Sequence, residues 1–313
     1  MAGVGRANFN SGFINQVLIR GIPIVNSYSG SVFWVHSGTG ASTHTGKTPS
    51  KPLSTITQAL AKCTASKNDI ILCMPGHAET VDAAADIVVN KIGVSIVGMG
   101  TGTLRPTITF ATDVLADIDI DAANCSLINF RFISNIASLD APIDVNAAGF
   151  EMVNCDFYCT TASTGFDITV ITDAAANDMV ITGCRFYYDY SLAGTAVTDT
   201  ATEVVRLVGA DRAVISGNYF ASESTTGIIN GITTESLSIN ISNNQFIQLS
   251  TDKHWIVLVA STTGRIDYNV GTATSTAGIT DGNIISAASC QLAENFASDA
   301  AGEQAQAVGV LSA

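Results

Sequence analysis

Apolar residues in this chain alternate by two, skip a position, then alternate again, and the whole motif returns eight times. The first copy reads Val94, Ile96, Met99, Thr101. The others are Cys125/Leu127/Phe130/Phe132, Phe150/Met152/Cys155/Phe157, Met179/Ile181/Cys184/Phe186, Ala213/Ile215/Asn218/Phe220, Ile239/Ile241/Asn244/Phe246, Gly264/Ile266/Asn269/Gly271 and Cys290/Leu292/Asn295/Ala297. Counted at the aliphatic position, the intervals are 31, 25, 29, 34, 26, 25 and 26 residues. Alternation by two predicts a strand with one buried face, and the skip predicts a corner. A unit this short cannot bury its own apolar side, so a period of this length predicts a solenoid.

The residue before each turn position is Gly98, Asn129, Asn154, Gly183, Gly217, Asn243, Tyr268 or Glu294. Gly and Asn tolerate a left-handed backbone, so six of these eight positions suit a tight bend. Stacking the copies as parallel strands puts like on like. Asn218, Asn244, Asn269 and Asn295 become an amide ladder, and Phe132, Phe157, Phe186, Phe220 and Phe246 an aromatic stack. These columns resemble those of the right-handed parallel β-helix proteins of the pectate-lyase-like superfamily, over residues 32 to 297. The fold expected is therefore all-β, a single-stranded right-handed parallel β-helix.

The resemblance extends to the entry of the helix. Val32-Phe33-Trp34-Val35 leads into a Ser/Thr/Gly-rich loop, then Gly46-Lys47-Thr48-x-x-Lys51-Pro52-Leu53-Ser54-Thr55-Ile56-x-x-Ala59-Leu60, then Asp69-Ile70-Ile71-Leu72-x-Met74-Pro75-Gly76. Ser54 or Thr55 can cap a short helix whose Ile56, Ala59, Leu60 and Cys63 plug the open end of the stack. The organisation expected is an N-terminal arm over 1–31, entry strand and capping helix over 32–80, coils over 81–297 and a short tail over 298–313. The arm carries Arg6, Phe13, Ile14, Val17, Leu18, Ile19 and Arg20 and falls outside the repeat, which marks it for anchoring to a neighbouring protein or for packing as an extra strand on its own chain.

Charge sharpens this picture. Residues 1 to 68 contain no acid and six Lys or Arg, whereas the remainder holds all 27 acids against eight basic residues, giving about +6 and −19. The basic end suits docking on an acidic surface. With a net charge of −13 and no basic cluster with interleaved aromatics, nucleic acid is not an expected partner. Only 13% of residues are charged and 47% are apolar, so a rod must hide part of its outside, and a homotrimer is expected. Seven cysteines without a C-x-x-C pair read as buried thiols formed in a reducing cytoplasm. The start of the chain does not read as a signal peptide, and no segment is apolar enough for a membrane span.

Chemistry is sparse. In Asp117-Ile118-Asp119-Ile120-Asp121 the isoleucines should point inward and the carboxylates outward. Asp119 and Asp144 share an offset before their corners, so they should stack one coil apart, at the ~5 Å a retaining glycosidase needs. Outward Asp is more often a solvated surface residue. Arg131, Asp156 and Arg185 fall in one outward column and predict a surface ion ladder. Tyr187, Tyr188 and Tyr190, in the longest insertion, are candidates to stack on sugar or to bury against a sister subunit. His36, His44, His77 and His254 lack metal-ligand spacing, so no metal or cofactor is expected. His77, two residues before Glu79, reads as a turn residue. The D-D, H-G and R-x-K signatures that the resemblance would require of an enzyme are missing. These observations favour a structural protein of a tailed-phage virion that folds in the host cytoplasm, a capsid decoration or head-fibre subunit held to other virion proteins through residues 1–31. The alternative is a tail spike that cleaves or binds a host surface glycan.

Overall fold

The alternating triplets are strands, and they pair in parallel with their equivalents one coil away; the last of them, Asn295–Ser298, also pairs antiparallel with Gln304–Ala307. A computed structural model describes residues 30–189, 191–274 and 284–298, with the backbone of strands Val17–Ile19, Ile22–Ile24 and Gln304–Ala307. Its fold is a right-handed parallel β-solenoid of about eight turns. Three sheets run its length. Sheet I starts at Val32–Val35 and Ile70–Cys73 and ends at Cys290–Ala293; sheet II starts at Ala78–Val81 and sheet III at Ile87–Val88. The aliphatic positions Ile96, Leu127, Met152, Ile181, Ile215, Ile241, Ile266 and Leu292 are successive partners in sheet I.

The first copy departs from the expected column. A 3-10 turn at Gly102–Leu104 lengthens its corner, so Ile108 of strand Thr107–Phe110, and not Thr101, lies beside Phe132. From there the aromatic column is continuous. Phe132–Phe157, Phe157–Phe186, Phe186–Phe220 and Phe220–Phe246 stack at 4.9, 4.8, 4.8 and 5.1 Å. At Gly271 a side chain is excluded, because a Cβ there would meet the Phe246 carbonyl oxygen at 1.8 Å. Trp255 instead covers the Phe246 ring at 5.2 Å.

The corners explain the Asn and Gly column. Seven of the eight positions are left-handed, including Tyr268 at φ 55° and Glu294 at φ 50°. Once the register is fixed by its neighbours, the stack imposes this conformation even on residues that disfavour it. Gly98 is the exception, kept small because a Cβ would lie 2.3 Å from the Asn129 carbonyl oxygen. Inside the corner the Oδ1 of Asn244, Asn269 and Asn295 each accepts from both N and Nδ2 of the Asn one coil before, and each Nδ2 also donates to an isoleucine carbonyl oxygen of that coil. Asn244 Oδ1 accepts from Asn218 N and Nδ2 at 3.0 and 3.1 Å, and Asn244 Nδ2 donates to Asn269 Oδ1 at 3.0 Å. Cys155 and Cys184 begin this column as free thiols, with Cys155 N donating to Cys184 Sγ at 3.4 Å.

The entry helix, Ile56–Leu60, is capped by Thr55, whose hydroxyl accepts from Gln58 N, and it buries Ile56, Ala59 and Leu60. Of the anchoring residues, Val17, Leu18 and Ile19 form a strand antiparallel to Ile22–Ile24, in a two-stranded sheet separate from the other three. Arg6, Phe13, Ile14 and Arg20 lie outside the described residues. Among the described residues no helix is long and apolar enough to cross a membrane.

Candidate functional sites

Two outward faces carry the polar chemistry. On sheet III, Asp119 and Asp144 are direct partners on adjacent coils, as their offsets predict, which sets their backbone positions ~4.8 Å apart. The same column continues as Val88 on one side and Ile171 on the other. This apolar flanking strips water from the pair. Burial, followed by the charge of Asp119, pushes the Asp144 carboxyl up to about 6, against a hydrogen bond from Asn146. Burial does the same to Asp117, also to about 6, with Asp119 and Asp144 adding repulsion. Asp119 is raised by burial and then by Asp121. Two carboxylic acids in register on adjacent coils, one of them raised to about 6, are candidates for an acid and a nucleophile. Among the described residues no group of three or more His, Cys, Asp or Glu is arranged to hold a metal.

On sheet II the register places Arg131, Asp156 and Arg185 side by side, but they do not form the expected ion ladder. Asp156 is 6% exposed and pairs with Arg105 at 2.5 Å, an arginine from the lengthened first corner. Arg105 directly follows the 3-10 turn, at its C-cap in extended backbone. Arg131 lies over the Tyr158 ring at 5.4 Å from its centroid, and Arg185 is exposed with no ion-pair partner among the described residues.

The tyrosine candidates divide. Tyr188 is 4% exposed, stacks on Phe166 at 5.0 Å and shares a hydrogen bond with Thr169, so it belongs to the core and cannot bind sugar from solvent. Tyr190 lies outside the described residues. Tyr187 faces outward, and its companions come from other coils: Tyr158 stacks on it at 4.8 Å and Tyr219 tilts against it at 5.3 Å. Reading along the insertion grouped tyrosines adjacent in sequence, whereas the solenoid groups those one coil apart. The spacing of 29 residues between Tyr158 and Tyr187, equal to that between Phe157 and Phe186, was the available signal. The faces of the Tyr158 and Tyr187 rings are occupied by each other, by Arg131 and by the tilted Tyr219. What the ladder offers outward is therefore ring edges and phenol hydroxyls, which favours hydrogen bonding over stacking. Burial raises the Tyr158 hydroxyl's pKa, followed by Asp156 and Tyr187, while Arg131 and Arg185 both pull it down.

His77 is a structural residue. It is 1% exposed; Ser37 N donates to its Nδ1 at 3.0 Å, and its Nε2 donates to Glu79 Oε2 at 3.1 Å. Glu79 in turn accepts from Ile56 N at 3.0 Å, so the histidine ties the entry loop to the start of the capping helix.

No protein-family model matches this sequence, and no curated protein does. Among solved structures, a rhamnogalacturonan lyase is similar with a TM-score of 0.44 at 12% identity, over 79% of this chain and 75% of that one. A GH136 lacto-N-biosidase from Eubacterium ramulus is similar with a TM-score of 0.36 at 9% identity, over 84% and 68%. Likenesses this distant bear on neither activity nor ligand.

Proposed function

We propose that this chain is a structural rod that binds polysaccharide on its outer surface, as an exposed subunit of a tailed-phage particle held through residues 1–31. The observation that carries the binding is the outward face of sheet II, where Tyr158 and Tyr187 stack in one column beside Arg131 and Arg185, and Tyr219, next after Arg185 in the arginine column, tilts against Tyr187. Phenol hydroxyls and guanidinium groups on a rigid sheet are preorganised hydrogen-bonding partners for sugar, with little entropy left to lose. Attachment through the N-terminal segment is supported by the acid-free first 68 residues and by a strand pair that belongs to none of the solenoid sheets. Replacing Tyr158 and Tyr187 together by Ala should weaken polysaccharide binding at least tenfold, about 1.4 kcal/mol, in titration calorimetry. Unchanged affinity would remove the platform from the proposal.

A second reading, polysaccharide cleavage, has one specific observation in its favour: Asp119 and Asp144 are stacked, and the Asp144 carboxyl is raised to about 6. On that reading the double substitution Asp119→Asn, Asp144→Asn abolishes release of reducing ends from a cleaved polymer. Retention of full activity would exclude this pair.

A further inference from the structure

Two cations on the outer face of sheet II, Arg131 and Arg185, stand two coils apart in one column. Arg131 and Arg185 are the partners of Asp156 on its two sides, which puts their backbone positions about 10 Å apart along the rod, two strand spacings. The level between them is electrically closed, because Asp156 is buried and paired with Arg105. Along the axis the column therefore presents a cation, a neutralised pair and a second cation. Tyr158, two residues beyond Asp156 on the same strand, lies under Arg131 and in stacking contact with Tyr187.

An extended sugar chain advances by about one coil height per residue. A chain lying along the rod would meet each coil with one sugar, and two of its charges would be read at the two-coil spacing of Arg131 and Arg185. On a molecule of net charge −13, three arginines against Asp156 make this face a local exception, bounded by Asp189 near Tyr219. We propose that this face binds an anionic glycan whose carboxylate or sulfate groups fall on every second sugar. Arg185, which is exposed, takes one anion as a fork donor; Arg131, whose Nε is buried and whose Nη2 donates to the Gly102 carbonyl oxygen at 3.4 Å, meets the other through its remaining N–H groups, and the uncharged sugar between them lies over the Arg105–Asp156 pair, hydrogen-bonded to the Tyr158 and Tyr187 hydroxyls. A glycan charged on every sugar would bring an anion to the closed level, where the arginine is already spent on Asp156.

This inference rests on the polysaccharide-binding reading, and one titration set separates the two. The full chain is titrated with three octasaccharides: hyaluronan, charged on alternate sugars; oligogalacturonate, charged on all; and cello-octaose, charged on none. Hyaluronan should bind at least tenfold tighter than either of the others. Arg131→Gln and Arg185→Gln should each lose at least tenfold of that affinity and weaken its salt dependence. Tyr158→Phe, which keeps the ring ladder and removes one hydroxyl, should lose severalfold, with melting curves of all three variants matching the parent. Equal or tighter binding of oligogalacturonate, or hyaluronan binding that survives both arginine substitutions, overturns the alternation and leaves polysaccharide binding standing. Binding of none of the three overturns the alternation and removes the support for the broader reading as well.

Discussion

Asp144 faces Asp119 on one coil and Ile171 on the next, and neither neighbour welcomes its charge. Its folded pKa of about 6 lies above the ordinary 3.8, so the native state holds the proton more tightly than the unfolded chain does. The stability this contributes is fully present below about pH 4 and is lost as pH rises through 6. Asp144→Asn should therefore stabilise the fold at pH 7.5, by about 1 kcal/mol once solvent screening is allowed for, and leave it unchanged at pH 4. Denaturant unfolding at the two pH values checks the sign, and an equal effect at both would exclude titration as the cause. That Asp119 would stack on Asp144 was legible in the sequence, because the offset of each from its corner is a local property. That Arg105 would take Asp156 from Arg131 and Arg185 was not, because it depends on how the 3-10 turn at Gly102–Leu104 redirects one side chain across a sheet.

At the scale of the element, the corner and the ladder divide the work between neighbouring residues. Asn243 supplies the bend at φ 57°, and Asn244, next in the chain, supplies the interior amide. Asn244→Ala would leave Asn218 N, Asn218 Nδ2, the Ile215 carbonyl oxygen and Asn269 Oδ1 each one partner short in the core, a loss of about 3 kcal/mol or more. Asn243→Gly keeps the left-handed turn and should stay within about 0.5 kcal/mol of the parent. Thermal melts of the two variants should separate widely, and similar melts would mean that the ladder contributes little. The repeat made both columns readable from composition alone. It misled where the period was interrupted, at Thr101 and in the insertion that follows strand Arg185–Tyr187. Within that insertion Tyr188 turned inward onto Phe166, since alternation by two continues past the end of the strand.

Across the whole molecule, attachment and rod are separable. Ser31 N donates to the buried Asp69 carboxylate, so the natural cut lies ahead of Gly30. Removing residues 1–29 should leave the melting temperature of the solenoid within about 2 °C of the parent and abolish incorporation into particles, counted by quantitative mass spectrometry against the major shell protein. Loss of cooperative unfolding would show that the segment is part of the fold. The ladder has a consequence for ancestry as well. Asn218, Asn244 and Asn269 are 26 and 25 residues apart and make the same bonds at each level. Excising residues 219–244 in one piece would lay Asn218 on Asn269, Phe186 on Phe246 and Val205 on Ile256, with every column still in register. The gene can thus be shortened or lengthened by whole coils through unequal recombination, each event changing the reach of the rod by ~4.8 Å without posing a new folding problem. Reach is inherited in quanta, independently of the surface chemistry that it carries.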